Sequence, residues 1–247
     1  MVNSLLLISP IGMLFVGLFA ILWWKIKKKV KWKYFAFGAL LWFIAIIPKF
    51  LMDYTITISI LQWLNVYGIV ASLVIMGLYY GLRTGFFESG FSYMAIIKTR
   101  FRKMKLNDAL AFGIGFGSIE AIALGCIGLI NILVFILNPS LVNLLTPEQQ
   151  TALNLPTIIV AAPVLERLFT LAVHIFSSLL VVYAVIKRKI NYLFVSILLK
   201  TLLDGMVPTL SYYFNLTTVY GIYLAEIPVL IIGVISFYGI RWITKKF

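Results

Sequence analysis

"GIGFGSIEAIALG", residues 113–125, consists almost entirely of glycine and aliphatic residues, with one carboxylate, Glu120, in its middle. The stretch lies inside a longer apolar run, residues 108–137. A run of more than about 18 nearly uncharged residues is long enough to cross the hydrocarbon core of a bilayer. A charged group at that depth is unfavourable, so we expect Glu120 to face other polar groups.

The whole chain has the composition of a membrane protein. Of its 247 residues, 62% are hydrophobic and 12% are charged, and its mean hydropathy is +1.05. A soluble domain is roughly half apolar and a quarter charged. The single cysteine, Cys126, excludes an intrachain disulfide. We therefore predict an all-α polytopic membrane protein, with one integral membrane domain over residues 1–247.

Seven apolar segments indicate about seven transmembrane helices. They cover residues 4–24, 34–47, a third segment ending near 97, then 108–137, 157–186, 190–207 and 218–240. We expect the second helix to end near Pro48, and Asn107 or Asp108 to cap the start of the fourth.

The stretch between residues 53 and 98 needs a separate interpretation. It must contain an odd number of crossings, but it is too long for one helix and too short for three. We expect a short interfacial or re-entrant helix near residues 54–64, followed by one long helix. Gly81, Gly85 and Gly90 provide points where that helix could bend.

Positive charge is concentrated in four clusters, residues 25–33, 98–105, 187–189 and 241–246. Together they hold 17 of the 21 Lys and Arg residues. Alternate crossings place all four clusters on one side of the membrane and leave only Lys49 on the other. The positive-inside rule then predicts an N-terminus outside the cell and a C-terminus in the cytoplasm. The net charge of +13 thus reflects topology and contact with anionic membrane lipid, and no nucleic-acid partner is expected.

A short list of ionisable residues remains inside the apolar segments. It comprises Arg83, Glu88, Glu120, Glu166, Arg167, His174, Lys200, Asp204 and Glu226. Counted from the basic clusters, most of them lie roughly 15–22 Å into the membrane. Such residues usually face one another or water, and they often mark functional sites. The sequence therefore predicts a polar site near the middle of the membrane.

Several of these residues also have a purely structural interpretation. Lys200 and Asp204 are spaced i, i+4, which favours a neutralising ion pair on one helix face. Arg83 can pair with a carboxylate on another helix. Glu226, close to Pro228, can hold a local kink or meet Arg83. These alternatives stay open at the level of sequence.

His174 and the glycines around Glu120 are similarly ambiguous. His174 is either a hydrogen-bonded packing residue or part of a reactive site; it shares a helix face with Arg167, seven residues earlier. The glycines either allow close helix packing or keep open a cavity in which another backbone approaches Glu120.

The order of four segments resembles the YhfC-type family of intramembrane metallopeptidases, which is distantly similar to the CAAX-prenyl protease and PrsW groups. The resemblance implies a protein of the bacterial plasma membrane, and the core motif region covers about residues 79–207. "GFFESGFSY" (85–93) matches a Glu-Glu-x-x-Arg segment, and "AFGIGFGSIEAIALG" (111–125) matches Gly-x-Gly-His-Gly-Gly-x-Glu-Ala. "ERLFTLAVHIFSSLLVVYAVIKRK" (166–189) matches a Glu-Arg, His and Ser-x-x-Val stretch, and "KTLLDG" (200–205) aligns with His-x-x-x-Asp.

The family's motif positions are kept unevenly. The matching residues are Glu88, Glu120, Glu166, Arg167, His174, Ser178 and Asp204. Two expected histidines are replaced, by Phe116 and by Lys200, and Ser89 and Ser92 replace a glutamate and an arginine. A hydrolytic zinc site usually has three protein ligands and a water. An ammonium in place of a ligand disfavours a divalent ion, so catalytic activity is doubtful.

The resemblance implies a set of site residues if the chain is active. The catalytic residues are Glu120, His174, Glu88 and Asp204. The metal ligands, for zinc or another divalent ion, are His174, Glu120 and Asp204. The supporting residues are Arg83, Glu166, Arg167, Ser178 and Lys200. In this scheme Glu120 is the general base, and Asp204 or Arg83 stabilises the oxyanion.

Several functions remain open. The favoured one is a peptidase-like protein with a degenerate site and no metal, which binds a transmembrane peptide or a membrane-protein partner, or regulates that partner. An active metal-dependent intramembrane endopeptidase using Glu120 and His174 is the alternative. A transporter or channel-like protein is the third hypothesis, because intramembrane charges also line transport paths. A structural or immunity-type membrane subunit is the fourth.

Overall fold

The computed structural model describes residues 3–247, and this part of the chain is helical, with no strand. Seven helices are long and apolar enough to cross a membrane, which confirms the predicted number. They are Ser4–Lys28, Trp32–Tyr54, Ile69–Lys98, Leu106–Leu137, Thr157–Lys187, Asn191–Tyr213 and Val219–Thr244. We refer to them as the first to the seventh span.

Shorter elements lie within and between the spans. The first and fifth spans begin with the 3₁₀ turns Ser4–Leu7 and Thr157–Val160, and the third contains a π-helical turn, Gly85–Gly90. The sixth span comprises the helices Asn191–Gly205 and Val207–Tyr213. The connections contain the helices Ile56–Leu64 and Pro147–Ala152 and the 3₁₀ turns Arg100–Lys103 and Pro139–Leu144. The helix Ile56–Leu64 confirms the short helix predicted before the third span.

Three predicted boundaries are wrong. The second span continues through Pro48 to Tyr54; proline removes only one backbone donor, and membrane helices tolerate this loss. The fourth span starts at Leu106 with Lys105 as its N-cap, and Asp108 accepts a hydrogen bond from the Lys105 N–H at 3.3 Å. The sixth span extends beyond residue 207 to Tyr213.

The glycines of the fourth span allow close helix packing. A Cβ on Gly115 would lie 2.2 Å from the backbone oxygen of Phe35 in the second span. A Cβ on Gly117 would lie 2.8 Å from the Cβ of His174 in the fifth span. These glycines do not line the cavity described below. The structure therefore supports the packing interpretation over the interpretation that they keep a cavity open.

The third and sixth spans approach each other in the same way. Cβ atoms on Gly77, Gly81 and Gly85 would lie 2.3–2.7 Å from backbone oxygens of the sixth span. The π-helical turn begins at Gly85 and carries Glu88. Single π-helical turns within α-helices are frequent at functional sites. This close packing places Glu88 beside Lys200.

The four basic clusters lie at one end of the bundle, which we call the basic face. Phe101, after the third span, stacks on Phe37 of the second span, with 3.9 Å between ring centroids. Trp24 of the first span donates a hydrogen bond to the carbonyl of Asn107 at 3.2 Å. Phe247 packs on Tyr183 of the fifth span. The grouping of the clusters agrees with the sequence, and the assignment of this face to the cytoplasm stays a prediction.

Candidate functional site

Glu88 lies between two ammonium groups inside the bundle. Its Oε1 accepts a hydrogen bond from Lys49 Nζ at 2.7 Å, and its Oε2 accepts one from Lys200 Nζ at 2.5 Å. The exposed fraction is 4% for Glu88, 8% for Lys49 and 2% for Lys200. A buried carboxylate is tolerated when its charge is paired and its oxygens are hydrogen-bonded. The second, third and sixth spans thus meet through one ion-pair cluster.

Glu120 has its own set of partners. Its Oε1 accepts from Arg167 at 2.5 Å, and its Oε2 accepts from the Trp42 indole at 2.9 Å. The His174 Nε2 lies 3.0 Å from the same Oε2. Arg167 also pairs with its neighbour Glu166. The carboxylate in "GIGFGSIEAIALG" is therefore held by groups from the second and fifth spans.

His174 connects the two carboxylates. Its Nδ1 contacts the Lys200 ammonium and lies 3.8 Å from Glu88 Oε2, while its Nε2 faces Glu120. A neutral imidazole protonated at Nε2 satisfies both contacts, because Nε2–H then donates to Glu120 and Nδ1 accepts from Lys200. Both ring nitrogens thus have protein partners.

Asp204 and Arg83 lie at the edge of this network. Asp204 Oδ2 accepts a hydrogen bond from Thr84 Oγ1 at 2.5 Å. Arg83 pairs with Asp53 of the second span at 2.6 Å, as expected for a carboxylate on another helix. It also donates to the carbonyl of Lys49 at 3.2 Å.

The remaining predicted residues, Ser178 and Glu226, take part in none of the ion pairs of the described residues. Ser178 is buried and lines a closed cavity of about 10 Å³ beside Lys200. Glu226 does not meet Arg83; its Oε2 is buried without a hydrogen-bond partner in the described structure. Glu226 and Glu166 line one crevice between the sixth and seventh spans.

The expected ion pair between Lys200 and Asp204 is not formed. The two residues are on one helix, but Lys200 reaches Glu88 and Asp204 reaches Thr84. The i, i+4 spacing permits a pair without requiring it, and the doubly paired Glu88 offers the ammonium a more buried partner.

A cavity of about 220 Å³ opens beside the network. Its polar lining is Lys49, Thr84, Glu88, Glu120, Glu166, Arg167, Thr170, His174, Lys200 and Asp204. Eight ionisable side chains from the second to the sixth span therefore share one space, as the sequence predicted for most of them. This volume is sufficient for several water molecules or a small polar group.

Sequence reasoning missed Lys49 and Trp42. Lys49 was expected on the membrane surface opposite the basic clusters, because the second helix was predicted to end at Pro48. The helix continues, so Lys49 lies inside it and reaches Glu88. A lone lysine four residues before Asp53 in an apolar stretch was the available signal. Trp42 carries no such signal, because an indole in a membrane helix is ordinarily apolar packing.

The two residues that replace the expected histidines meet at His174. The Phe116 ring lies 5.4 Å from the His174 ring, centroid to centroid. The Lys200 ammonium lies 5.1 Å from the Phe116 ring centroid, a cation–π distance. The two substitutions thus form one packed contact.

The residues as arranged do not fit a metal ion. Within residues 3–247, no group of three or more His, Cys, Asp or Glu side chains is placed to hold one. The Nδ1 lone pair of His174 faces an ammonium, and both oxygens of Glu88 accept from ammonium groups. Asp204, the third implied ligand, bonds Thr84 instead of joining Glu120 and His174.

The fold and the site define a multi-pass helical membrane protein with a buried ion-pair network inside the helix bundle. A family model described as the YhfC intramembrane metalloprotease matches residues 12–229. The chain belongs to this family. A Bacillus subtilis protein named "Uncharacterized membrane protein YhfC" is 29% identical over 259 residues, covering 98% of this chain and 93% of the relative. No solved structure matches the chain.

Proposed function

We propose that this chain is a non-hydrolytic member of its family that binds a membrane-spanning segment of a partner protein. The observation that carries the proposal is the Lys200 ammonium, which lies against His174 Nδ1 and Glu88 Oε2. A hydrolytic metal needs the lone pairs of such nitrogen and oxygen atoms. Here the Lys200 side chain occupies the positions next to those lone pairs.

Each of the three cations near His174 has a carboxylate partner without a metal, and Asp204 adds a fourth carboxylate to the same cavity. Lys49, Lys200 and Arg167 pair with Glu88, Glu120 and Glu166. A divalent cation added to this cluster would displace at least one ammonium and leave it buried without a partner, which is strongly unfavourable. The cations of this network therefore do not need a metal to hold their carboxylates together.

A crevice between the sixth and seventh spans supports the binding part of the proposal. It has a volume of about 300 Å³ and shares Glu166, Val207 and Val229 with the central cavity. The sixth span packs on the third and fifth, and the seventh packs on the fifth. A partner segment between the sixth and seventh spans would have apolar walls and two carboxylates, Glu166 and Glu226, as acceptors for its polar groups.

Metal content tests the non-hydrolytic part. Protein purified in mild detergent should contain far less than one equivalent of any divalent metal by mass spectrometry, and His174→Ala should not change this value. The double variant Phe116→His, Lys200→His removes the ammonium and adds two imidazoles. It should gain zinc that is lost again when His174→Ala is added.

Two outcomes would contradict the proposal. Near-stoichiometric metal in the unsubstituted protein, lost in His174→Ala, favours the alternative of an active metal-dependent endopeptidase. That alternative has one observation in its favour, the 3.0 Å contact between Glu120 and His174 beside the cavity. A double variant that binds no metal would show that the two replacements do not explain the absence of a metal.

Photo-crosslinking tests the binding part. A benzophenone amino acid at Leu210 in the crevice should capture a membrane protein in native membranes. The same probe at Phe15, which is 65% exposed on the first span, is the matched control. Equal capture at both positions would contradict a specific site between the sixth and seventh spans.

A further inference from the structure

A second groove lies at the basic face, away from the ion-pair network. It is bounded by the end of the third span and the turn Arg100–Lys103 on one side. The end of the fifth span and the start of the sixth form the other side. Its volume is about 600 Å³.

Three cations stand at the rim of this groove, namely Arg102, Lys103 and Arg188. No acidic residue lines it, and no carboxylate in residues 3–247 pairs with the three side chains. All three are exposed. The groove therefore has an uncompensated positive rim that attracts an anion.

Arg188 stands where the backbone favours glycine. It ends the fifth span in the left-handed region, at φ 54°. Helices commonly end with a glycine in this conformation, because glycine has no Cβ to clash. The Lys189 N–H closes the helix end by donating to the carbonyl of Ala184 at 3.0 Å. The chain thus carries an arginine side chain at a backbone position that does not favour it.

The walls of the groove below the rim are apolar. Its aliphatic lining includes Ile97, Ile186 and Ile190, and Ile97 and Ile190 are exposed by 41% and 43%. These residues lie in or next to the ends of membrane-spanning helices, where acyl chains are within reach. A soluble anion would leave these walls uncovered.

We propose that this groove binds one anionic phospholipid, with its phosphate held by Arg102, Lys103 and Arg188. An acyl chain then lies along the isoleucine wall. Basic pockets between transmembrane helices are suited to anionic head groups, and the apolar wall selects a lipid over a free phosphate. The site is separate from the ion-pair network and does not depend on the proposed function.

Native mass spectrometry in mild detergent tests the charge requirement with added phosphatidylglycerol, and phosphatidylcholine as the neutral lipid. The protein should retain one phosphatidylglycerol, and the triple variant Arg102→Gln, Lys103→Gln, Arg188→Gln should lose at least about tenfold in affinity. The matched control Lys27→Gln, Lys28→Gln, Lys31→Gln removes three charges from the same face but outside the groove. It should retain the lipid.

A second variant tests the apolar wall with all charges intact. Ile190→Trp fills the groove and should also weaken retention, whereas Leu40→Trp, on an exposed position of the second span, should not. Equal loss in both charge variants would reduce the effect to general surface charge and overturn the proposal. Equal retention of phosphatidylcholine would show that the groove does not prefer an anionic head group and would overturn it as well. Unchanged retention in Ile190→Trp, or displacement of the lipid by glycerol 3-phosphate, would overturn the lipid assignment.

Discussion

His174 is surrounded by partners that determine what each of its nitrogen atoms can do. Nε2 lies 3.0 Å from Glu120 Oε2, and Nδ1 contacts the Lys200 amine. The Phe116 ring covers one side of the imidazole. A histidine in this environment connects two ion-pair clusters. At the scale of single residues, Lys200 stands where the resemblance to the family leads us to expect a histidine. Its contact with Nδ1 changes the chemistry available to His174.

The first residue-scale prediction concerns Lys200→Met, which keeps the length of the side chain and removes its charge. Glu88 would then keep only Lys49 as an ammonium partner in a buried position. Breaking a buried pair by removing one partner typically costs about 3–5 kcal/mol. Because Glu88 keeps Lys49, we expect a smaller loss, about 1.5–3 kcal/mol, in the free energy of unfolding, measured by denaturation in detergent.

The exposed Lys189→Met serves as the control and should change the stability by less than about 0.5 kcal/mol. Adding Glu88→Gln to Lys200→Met should lower the stability further, because it leaves the buried Lys49 ammonium without its carboxylate partner. A stability for Lys200→Met equal to that of the control would show that the contact with Glu88 contributes nothing.

At the scale of elements, the site depends on how closely the third and sixth spans pack. Gly81 faces the carbonyl oxygen of Thr201, one residue after Lys200. Gly90, in the same span, has nothing within 4 Å of a built Cβ. Gly81 is therefore needed for the close approach of the third and sixth spans, whereas Gly90 is not.

We predict opposite effects for alanine at the two positions. A Cβ on Gly81 would lie 2.3 Å from the Thr201 backbone oxygen, and a backbone atom cannot yield as a side-chain tip can. Gly81→Ala should therefore lower the free energy of unfolding by about 1–3 kcal/mol, as overpacking does. Gly90→Ala should be neutral or stabilise by up to about 1 kcal/mol, because alanine favours a helix. Thermal unfolding of both variants in one detergent is the measurement, and equal destabilisation would contradict the packing assignment.

The sequence predicted helices better than it predicted partners. Seven spans and the short helix before the third follow from run length and hydropathy, which are local properties. The partner of Lys200 is not local, since Glu88 is 112 residues away in the chain. The position of Lys49 inside the membrane depended on whether a helix continues through Pro48, and local propensity favoured the wrong answer.

At the scale of the whole molecule, the charges outside the site determine the orientation in the membrane. Seven crossings place the four basic clusters at one face, and aromatic contacts such as Phe37 with Phe101 tie their connections together. Cytoplasmic loops carry an excess of lysine and arginine. The basic face, with 17 of the 21 cations of the chain, is accordingly predicted to be cytoplasmic.

Cysteine labelling in intact bacterial cells tests this orientation. The exposed Cys126 is first replaced by serine, and a single cysteine is introduced at Ser140, between the fourth and fifth spans, or at Lys246, on the basic face. A membrane-impermeant maleimide should label Ser140→Cys in intact cells and Lys246→Cys only after permeabilisation. The reverse pattern would place the basic face outside, against the positive-inside rule, and the groove of Arg102, Lys103 and Arg188 would then face the outer leaflet. Labelling of both positions in intact cells would contradict an odd number of crossings between them.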